Sequence, residues 1–260
     1  NIDPNKLEKS ITKNTKAIMV IHAFGQSANM KQIMKIARKN NLYVIEDSAH
    51  CIEGSRDGIG PGQLSTAAIF SFYATKNITS GEGGAIVTND KDLYDKLIKY
   101  RLHGMSKSAS ERYAGNFEHW DMELLGYKCN MNDIQAAMLI PQIGKMESQR
   151  IERERISTKY ENAFKNNKNI SFPEKINNVV HARHIFTVWV KSIQRDNILY
   201  QLKKAGIGVA VNFRAIHLLS YYRDKFGYKK GSFPISESIG SSTITLPLYP
   251  KLKLARTTEK

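Results

Sequence analysis

Two short apolar runs flank a helical pattern near the start of the chain, and that order constrains the fold more than any other feature. Ala17–His22 (AIMVIH) reads as a buried strand. In residues 27–40, Met30, Ile33, Met34 and Ala37 fall at helical spacing, with Lys and Arg on the other face. Leu42–Ile45 (LYVI) reads as a second strand and ends in Glu46-Asp47. Strand, helix and strand joined by short connections make a βαβ unit, which predicts a parallel sheet and an α/β fold. Ligands in such sheets gather beyond the carboxyl ends of the strands, so Asp47 and His50 are placed there.

A glycine-rich loop, 54–62, follows. Ala67–Tyr73 (AAIFSFY) predicts a third strand, Ala85–Thr88 (AIVT) a fourth, and Asp90–Arg101 a helix capped by Asn89 or Asp90. Residues 104–127 lack periodicity and read as a long functional loop. A helical region runs from about Asp133 to Phe164, and Pro141 is expected to kink or break it. Its charged later part reads as a linker between two domains. After Pro173 the pattern becomes a smaller α+β unit: strands at Ile185–Val190, Gly208–Phe213 and Thr243–Leu246, and a helix at Asn197–Ala205. The expected division is 1–143 and 144–260.

Charge and cysteine content narrow the classes. The 260 residues carry 39 Lys+Arg against 24 Asp+Glu, a net charge of +15. Residues 1–130 hold 17 basic and 14 acidic side chains, residues 131–260 hold 22 and 10, so the excess lies in the second half. Such an excess suits an anionic partner, or reflects a lysine-rich composition. No RNA-recognition signature, zinc spacing or basic–aromatic repeat accompanies it, so a nucleic-acid partner is not expected. Cys51 and Cys129 lie far apart with no C-x-x-C partner, which argues against a metal or thioredoxin-like site and for a reducing, cytoplasmic setting. No apolar run is long enough to cross a bilayer.

Candidate chemistry concentrates in residues 46–84. Asp47 is either a loop carboxylate or a buried acid that keeps a heterocyclic nitrogen protonated. His50 could hydrogen-bond the same ring or merely pack. Lys76 lies in a turn of small and polar residues. It is either solvated or a site lysine with a depressed pKa, able to attack a carbonyl carbon. Ser71, on the preceding strand, could bind a phosphate oxygen. Gly81-Glu82-Gly83-Gly84 permits close backbone approach but matches neither a P-loop nor G-x-G-x-x-G.

The combination VIEDSAH (44–50) and IFSFYATKNITSGEGGAIVT (69–88) resembles the DegT/DnrJ/EryC1/StrS sugar aminotransferases. Agreement continues through HAFGQSANM (22–30), GYKCNMNDIQAAM (126–138), NFRAIHLLSYYRDKFG (212–227) and LPLYPKL (246–252), nearly the whole chain. Within the family, FRA-x-H…YYR…F and GYK-x-N look most like the UDP-4-amino-4-deoxy-L-arabinose–oxoglutarate aminotransferases. The resemblance implies a fold type I pyridoxal-phosphate transferase. Its three-layer α/β/α large domain, 1–143, holds pyridoxal 5'-phosphate, and a linker helix and small α+β domain make up 144–260.

The same resemblance implies residue roles. Lys76 matches the lysine that bonds covalently to the cofactor, Asp47 the acid paired with the pyridinium nitrogen, His50 the contact to the ring's phenolic oxygen, and Ser71 a serine on the cofactor phosphate. Asn130 lies in the segment that reaches the neighbouring subunit's cofactor phosphate, which implies a homodimer with shared sites. Many relatives read GYN-x-R where this chain reads GYK-x-N, so either Lys128 or Asn130 makes that contact. His217 falls near the nucleotide-sugar. The implied reaction is a nucleotide-linked 4-keto-sugar plus glutamate giving the 4-amino-sugar plus 2-oxoglutarate. A dehydratase subgroup carries histidine in place of the lysine, so Lys76 favours amination. The family's N-terminal segment, with a small-residue turn that cups the phosphate and an aromatic ring that stacks on the cofactor, has no counterpart before Ala17. The final helix has none after Leu254. The chain is therefore expected to be a fragment with an apolar sheet edge exposed, and the alternative to an active enzyme is an inactive fragment or a non-catalytic relative of the family.

Overall fold

The computed structural model describes residues 1–106 and 119–253. The chain divides into two compact units, Asn1–Met146 and Glu147–Lys260. In the first, a short helix α1 (Pro4–Leu7) precedes β1 (Ala17–Ile21), α2 (Met30–Lys39), β2 (Tyr43–Asp47), a two-residue strand β3 (Ser55–Arg56), β4 (Ala67–Ser71), β5 (Gly84–Val87), α3 (Lys91–Tyr100) and α4 (Asp133–Ile143). The sheet order is β1-β2-β4-β5, with β1, β2 and β4 parallel and β5 antiparallel to β4. The βαβ unit is present as expected. The connection between β4 and β5, residues 72–83, forms no helix, and β5 returns antiparallel along β4.

Register gives the two faces different jobs. Val20, Glu46, Ala68 and Val87 form one row across the sheet. The next row, Ile21, Asp47, Ile69 and Ile86, points to the opposite face, because successive strand side chains alternate. The first face is the core: Ile18, Val20 and Val44 pack against Ile33, Ile36 and Ala37 of α2. Ile33 is fully buried. On the second face Met19, Ile21, Tyr43, Ile69 and Ile86 are exposed, so the apolar surface lies on a sheet face rather than only along an edge.

Caps set the helix limits. The Asn29 side chain accepts from Gln32 N and starts α2 at Met30 rather than at 27. Asp90 accepts from Leu93 N and caps α3. Pro141 does not break the helix at its own position. It lies inside α4, which ends only at Gly144. Proline lacks the N–H that would reach the Ala137 carbonyl, and the helical region expected to run on to Phe164 does divide, just past Pro141 at Gly144, with a second helix beginning at Met146. Part of the loop expected at 104–127 lies outside the described residues. The rest includes a one-residue bridge between Met105 and Met122.

The second unit contains α5 (Met146–Phe164), β6 (Val179–Val180), β7 (Phe186–Trp189), α6 (Ser192–Lys204), α7 (Ser220–Phe226), α8 (Pro234–Ser242) and β8 (Thr243–Leu246). β7 and β8 pair antiparallel over a core of Ile156, Tyr160, Phe186, Val188 and Ile244. The Tyr160 hydroxyl donates to the Pro247 carbonyl at 3.1 Å. The strand expected at Gly208–Phe213 does not form. Only Ala210 pairs, with Thr245, through two backbone hydrogen bonds of 3.2 and 2.8 Å, too few for a ladder. The helix expected at Asn197 starts five residues earlier, at Ser192.

The same unit holds an ionic cluster centred on a buried arginine. Arg183, 4% exposed, donates to Glu154 at 2.7 Å and pairs with Glu161 at 2.7 Å. Lys175 reaches Glu154 at 2.6 Å. Burial works to raise the Glu154 carboxyl, but Arg183 and Lys175 outweigh it and hold it at about 2. Burial, helped by the Arg183 charge, pushes the neighbouring His181 down to about 3.

Candidate active site

β2 ends on Asp47, whose side chain accepts from Ala49 N at 3.1 Å. This Asx-type turn holds the carboxyl at the strand end and carries the chain on to His50. Asp47 and His50 are half-buried. Ser71 ends β4 two residues beyond Ile69, on the same face as Asp47. Its hydroxyl accepts from Tyr73 N at 3.3 Å.

Lys76 sits in the turn after β4, where its backbone N–H donates to the Tyr73 carbonyl at 2.9 Å. Burial lowers its pKa below the ordinary lysine value, and the nearby Asp47 carboxylate pulls it back up. His50 is pushed down to about 4 by burial and by the Lys76 charge, against Asp47. These mutual effects place Lys76, Asp47 and His50 in one electrostatic cluster at the carboxyl edge of the sheet. The Phe24 ring stacks on His50, with centroids 6.4 Å apart and planes 20° from parallel. Phe24 itself has φ 60°, a left-handed conformation rare outside glycine and asparagine.

The lysine turn is stapled from behind. Thr79 N donates to Gln142 Oε1 at 3.0 Å, and Gln142 Nε2 donates to the Thr79 carbonyl at 2.8 Å. Asn77 donates to Glu53 at 2.8 Å. Gly83 sits at φ 147°, a conformation L side chains rarely adopt, and a Cβ there would lie 2.6 Å from Met131 Cε and 2.8 Å from Ser80 Oγ, so both side chains would have to shift.

A buried pair lies under this edge, and the sequence reading did not find it. Glu46 and His22 are each 1% exposed. His22 Nε2 lies 2.6 Å from Glu46 Oε2, and Glu46 Oε1 accepts from Gly62 N at 2.8 Å and Ser65 Oγ at 2.5 Å. Burial works to raise the Glu46 carboxyl, but these hydrogen bonds outweigh it and hold it below the usual carboxylate value. His22 Nδ1 accepts from Ala28 N at 3.0 Å, so the ring proton sits on Nε2 and is donated to Glu46. The acid-rich ED pair was the available signal: in a strand, two adjacent acids cannot share a face.

Other expected residues lie elsewhere. Lys128 and Asn130 are exposed, on a segment held against the end of α3 by a Leu102–Lys128 bridge and by Cys129 N donating to the Arg101 carbonyl at 2.9 Å. His217 belongs to the second unit. Its Nε2 meets Glu237 at 2.9 Å, and its ring stands edge-on to Phe233 at 4.8 Å. It borders a cavity of about 470 Å³ with Arg214, Tyr222, Tyr228 and Phe233. Glu237 also accepts from Gly231 N and Phe233 N, so it ties His217 to the loop before α8.

The Lys76 edge suits a flat heterocycle bearing an aldehyde. It offers a carboxylate for a ring nitrogen, a lysine amine of lowered pKa, a flat histidine–phenylalanine stack and a serine hydroxyl beside a glycine turn. Comparison with known proteins agrees. The DegT/DnrJ/EryC1/StrS aminotransferase family model matches residues 1–259. An uncharacterized protein of Methanocaldococcus jannaschii is 41% identical over 258 residues, 97% of this chain and 67% of its own. The spore coat polysaccharide biosynthesis protein SpsC of Bacillus subtilis is 38% identical, over 97% of this chain and 66% of its own. Among solved structures, Helicobacter pylori PseC, an aminotransferase of pseudaminic acid biosynthesis, superposes with TM-score 0.91 at 28% identity, covering 100% of this chain and 68% of that one. The PLP form of Streptococcus pneumoniae Spr1654 gives TM-score 0.87 at 26% identity, covering 99% and 69%. The chain thus spans about two-thirds of the length of these relatives. Its fold is that of the fold type I aminotransferases, and its cofactor is pyridoxal phosphate. The chain belongs to the DegT/DnrJ/EryC1/StrS aminotransferase family.

Proposed function

We propose that the protein is a pyridoxal-phosphate-dependent aminotransferase. It converts a nucleotide-linked 4-keto-sugar to the 4-amino-sugar with glutamate as donor, in the cytoplasm, for lipopolysaccharide or another cell-surface glycan. The observation that carries this reading is the cluster of Lys76, Asp47 and His50 at one sheet edge. SpsC and PseC, both named for polysaccharide or sugar biosynthesis, support a sugar acceptor. The basic second half supports an acceptor with a diphosphate. No helix among the described residues is long and apolar enough to cross a membrane.

When bound, the cofactor supplies the electron sink for charge that develops at the reacting carbon. Lys76 Nζ then acts as base and acid: it takes the proton from the donor's Cα in the first half-reaction and delivers one to C4 of the sugar in the second. Its lowered pKa leaves a larger share of the amine free to do so. Asp47 holds the proton on the ring nitrogen. His50 and Phe24 form the flat wall, and Ser71 takes a phosphate oxygen. Lys128 or Asn130, exposed on their segment, serves the site of the second subunit of a homodimer, and His217 faces the nucleotide-sugar.

Borohydride trapping tests the assignment. After incubation with pyridoxal phosphate and reduction, peptide mapping should place one adduct on Lys76, and Lys76→Ala should abolish it. An adduct on another lysine, or a Lys76→Ala protein that still turns glutamate and keto-sugar into 2-oxoglutarate and amino-sugar, overturns the reading.

A further inference from the structure

The mechanism makes no use of the His22–Glu46 pair, yet the pair joins β2, which carries Asp47, to the turn that carries Phe24 and to the loop at Gly62 and Ser65. Glu46 precedes Asp47 on β2 and points to the other face. Its carboxylate is held by the loop at Gly62 and Ser65 and by His22. His22 also donates its backbone N–H to the Asp47 carbonyl at 3.1 Å. The His22 carbonyl accepts from Gly25 N, which ends the turn that carries Phe24, and its ring nitrogen Nδ1 accepts from Ala28 N just beyond that turn. Phe24 in turn stacks on His50.

We propose that Glu46 and His22 are positioning residues for the cofactor site: their buried pair locks the turn after β1 to the end of β2, so that the Asp47 carboxyl and the His50–Phe24 stack keep one arrangement about Lys76. This rests on the reading of Lys76 and Asp47 given above. The chemistry of the pair makes it sensitive to a near-isosteric change. A glutamine at 46 must either turn its amide toward the His22 Nε2–H or turn it toward the Gly62 N–H. Each choice sets donor against donor, so one of the three contacts is lost whichever way it faces.

The test compares the wild-type chain with Glu46→Gln, Ser65→Ala and Ile33→Val. Ser65→Ala removes one hydrogen bond to Glu46 and leaves His22 untouched. Ile33→Val costs stability under the same sheet without touching the pair. Three quantities are read: the Kd for pyridoxal phosphate by spectral titration, the visible circular dichroism per bound cofactor, and the His50 ring titration by NMR in cofactor-free protein. Lys76 and Asp47 are the charged groups that act on His50.

Glu46→Gln should weaken cofactor binding about tenfold, alter the dichroic band and move His50 up from about 4 toward the ordinary histidine value. Ser65→Ala should move all three the same way by less, and it decides the matter if Glu46→Gln does not fold. Wild-type values in both variants overturn the inference, even if melting temperatures fall. So do equal shifts in Ile33→Val, which would make the effect one of general loosening. A wild-type chain that traps no cofactor at Lys76 overturns the assignment of Lys76 instead, and the His50 titration still decides for or against the pair.

Discussion

Cys51 and Cys129 show how one residue type takes opposite properties from its surroundings. Cys51 is fully buried, with its thiol 3.3 Å from Ser27 Oγ, and burial pushes it up to about 12. Cys129 is exposed. Ellman's reagent should therefore titrate one thiol per folded chain and the second only after denaturation. Rapid reaction of both thiols would show the Ser27–Cys51 packing to be wrong. The site residues follow the same logic of place. The sequence places Asp47, His50, Ser71 and Lys76 at or just after strand ends, where a parallel sheet gathers ligands, and the fold puts them there. Glu46 adjoins Asp47 yet points to the opposite face. Nothing local says that a carboxylate will be sealed in by His22, 24 residues away.

At the scale of elements, the turn from Ser71 to Gly84 depends on α4, far along the chain. The Gln142 side chain meets both backbone groups of Thr79, as a neighbouring strand would. Gln142→Ala leaves those two half-buried groups unpaired, which costs about 1–3 kcal/mol locally. Hydrogen exchange should then speed up at Thr79 and its neighbours while α2 keeps its protection. Unchanged exchange at Thr79 would mean that the staple does not hold the turn. Strand and helix existence read well from hydrophobic period, as β1, α2 and β2 show. Ends and breaks read to within a few residues: Pro141 predicts a division of the long helical region, and the chain divides it just beyond, between α4 and α5. Gly208–Phe213 reads as a strand by composition, but among the described residues its backbone pairs with β8 as a ladder only at Ala210.

At the scale of the molecule, acid should be the weak direction for both units, by the same physics. His181 titrates at about 3 in the folded chain against 6.5 for a free histidine, so the unfolded chain binds the extra proton first. Stability contributed by its neutral form is complete above 6.5 and declines as pH falls toward 3. His50 acts likewise between 6.5 and about 4. Glu154, held at about 2 against an ordinary 4.5, adds stability that is lost as pH falls from 4.5 toward 2. Melting temperature measured from pH 7 to 4 should fall, and His181→Gln should flatten the upper part of that slope. A melting temperature that rises on acidification would contradict the burial of these groups.

The left-handed backbone at Phe24 reaches furthest into the protein's history. A bulky residue at φ 60° sacrifices about 1–2 kcal/mol that glycine would not. If its ring is kept for the wall it makes with His50, then position 24 is one where selection for chemistry has prevailed over selection for a sturdier fold. A laboratory screen for thermostability alone would be drawn to replace Phe24, and would return chains that last longer and hold their cofactor less well.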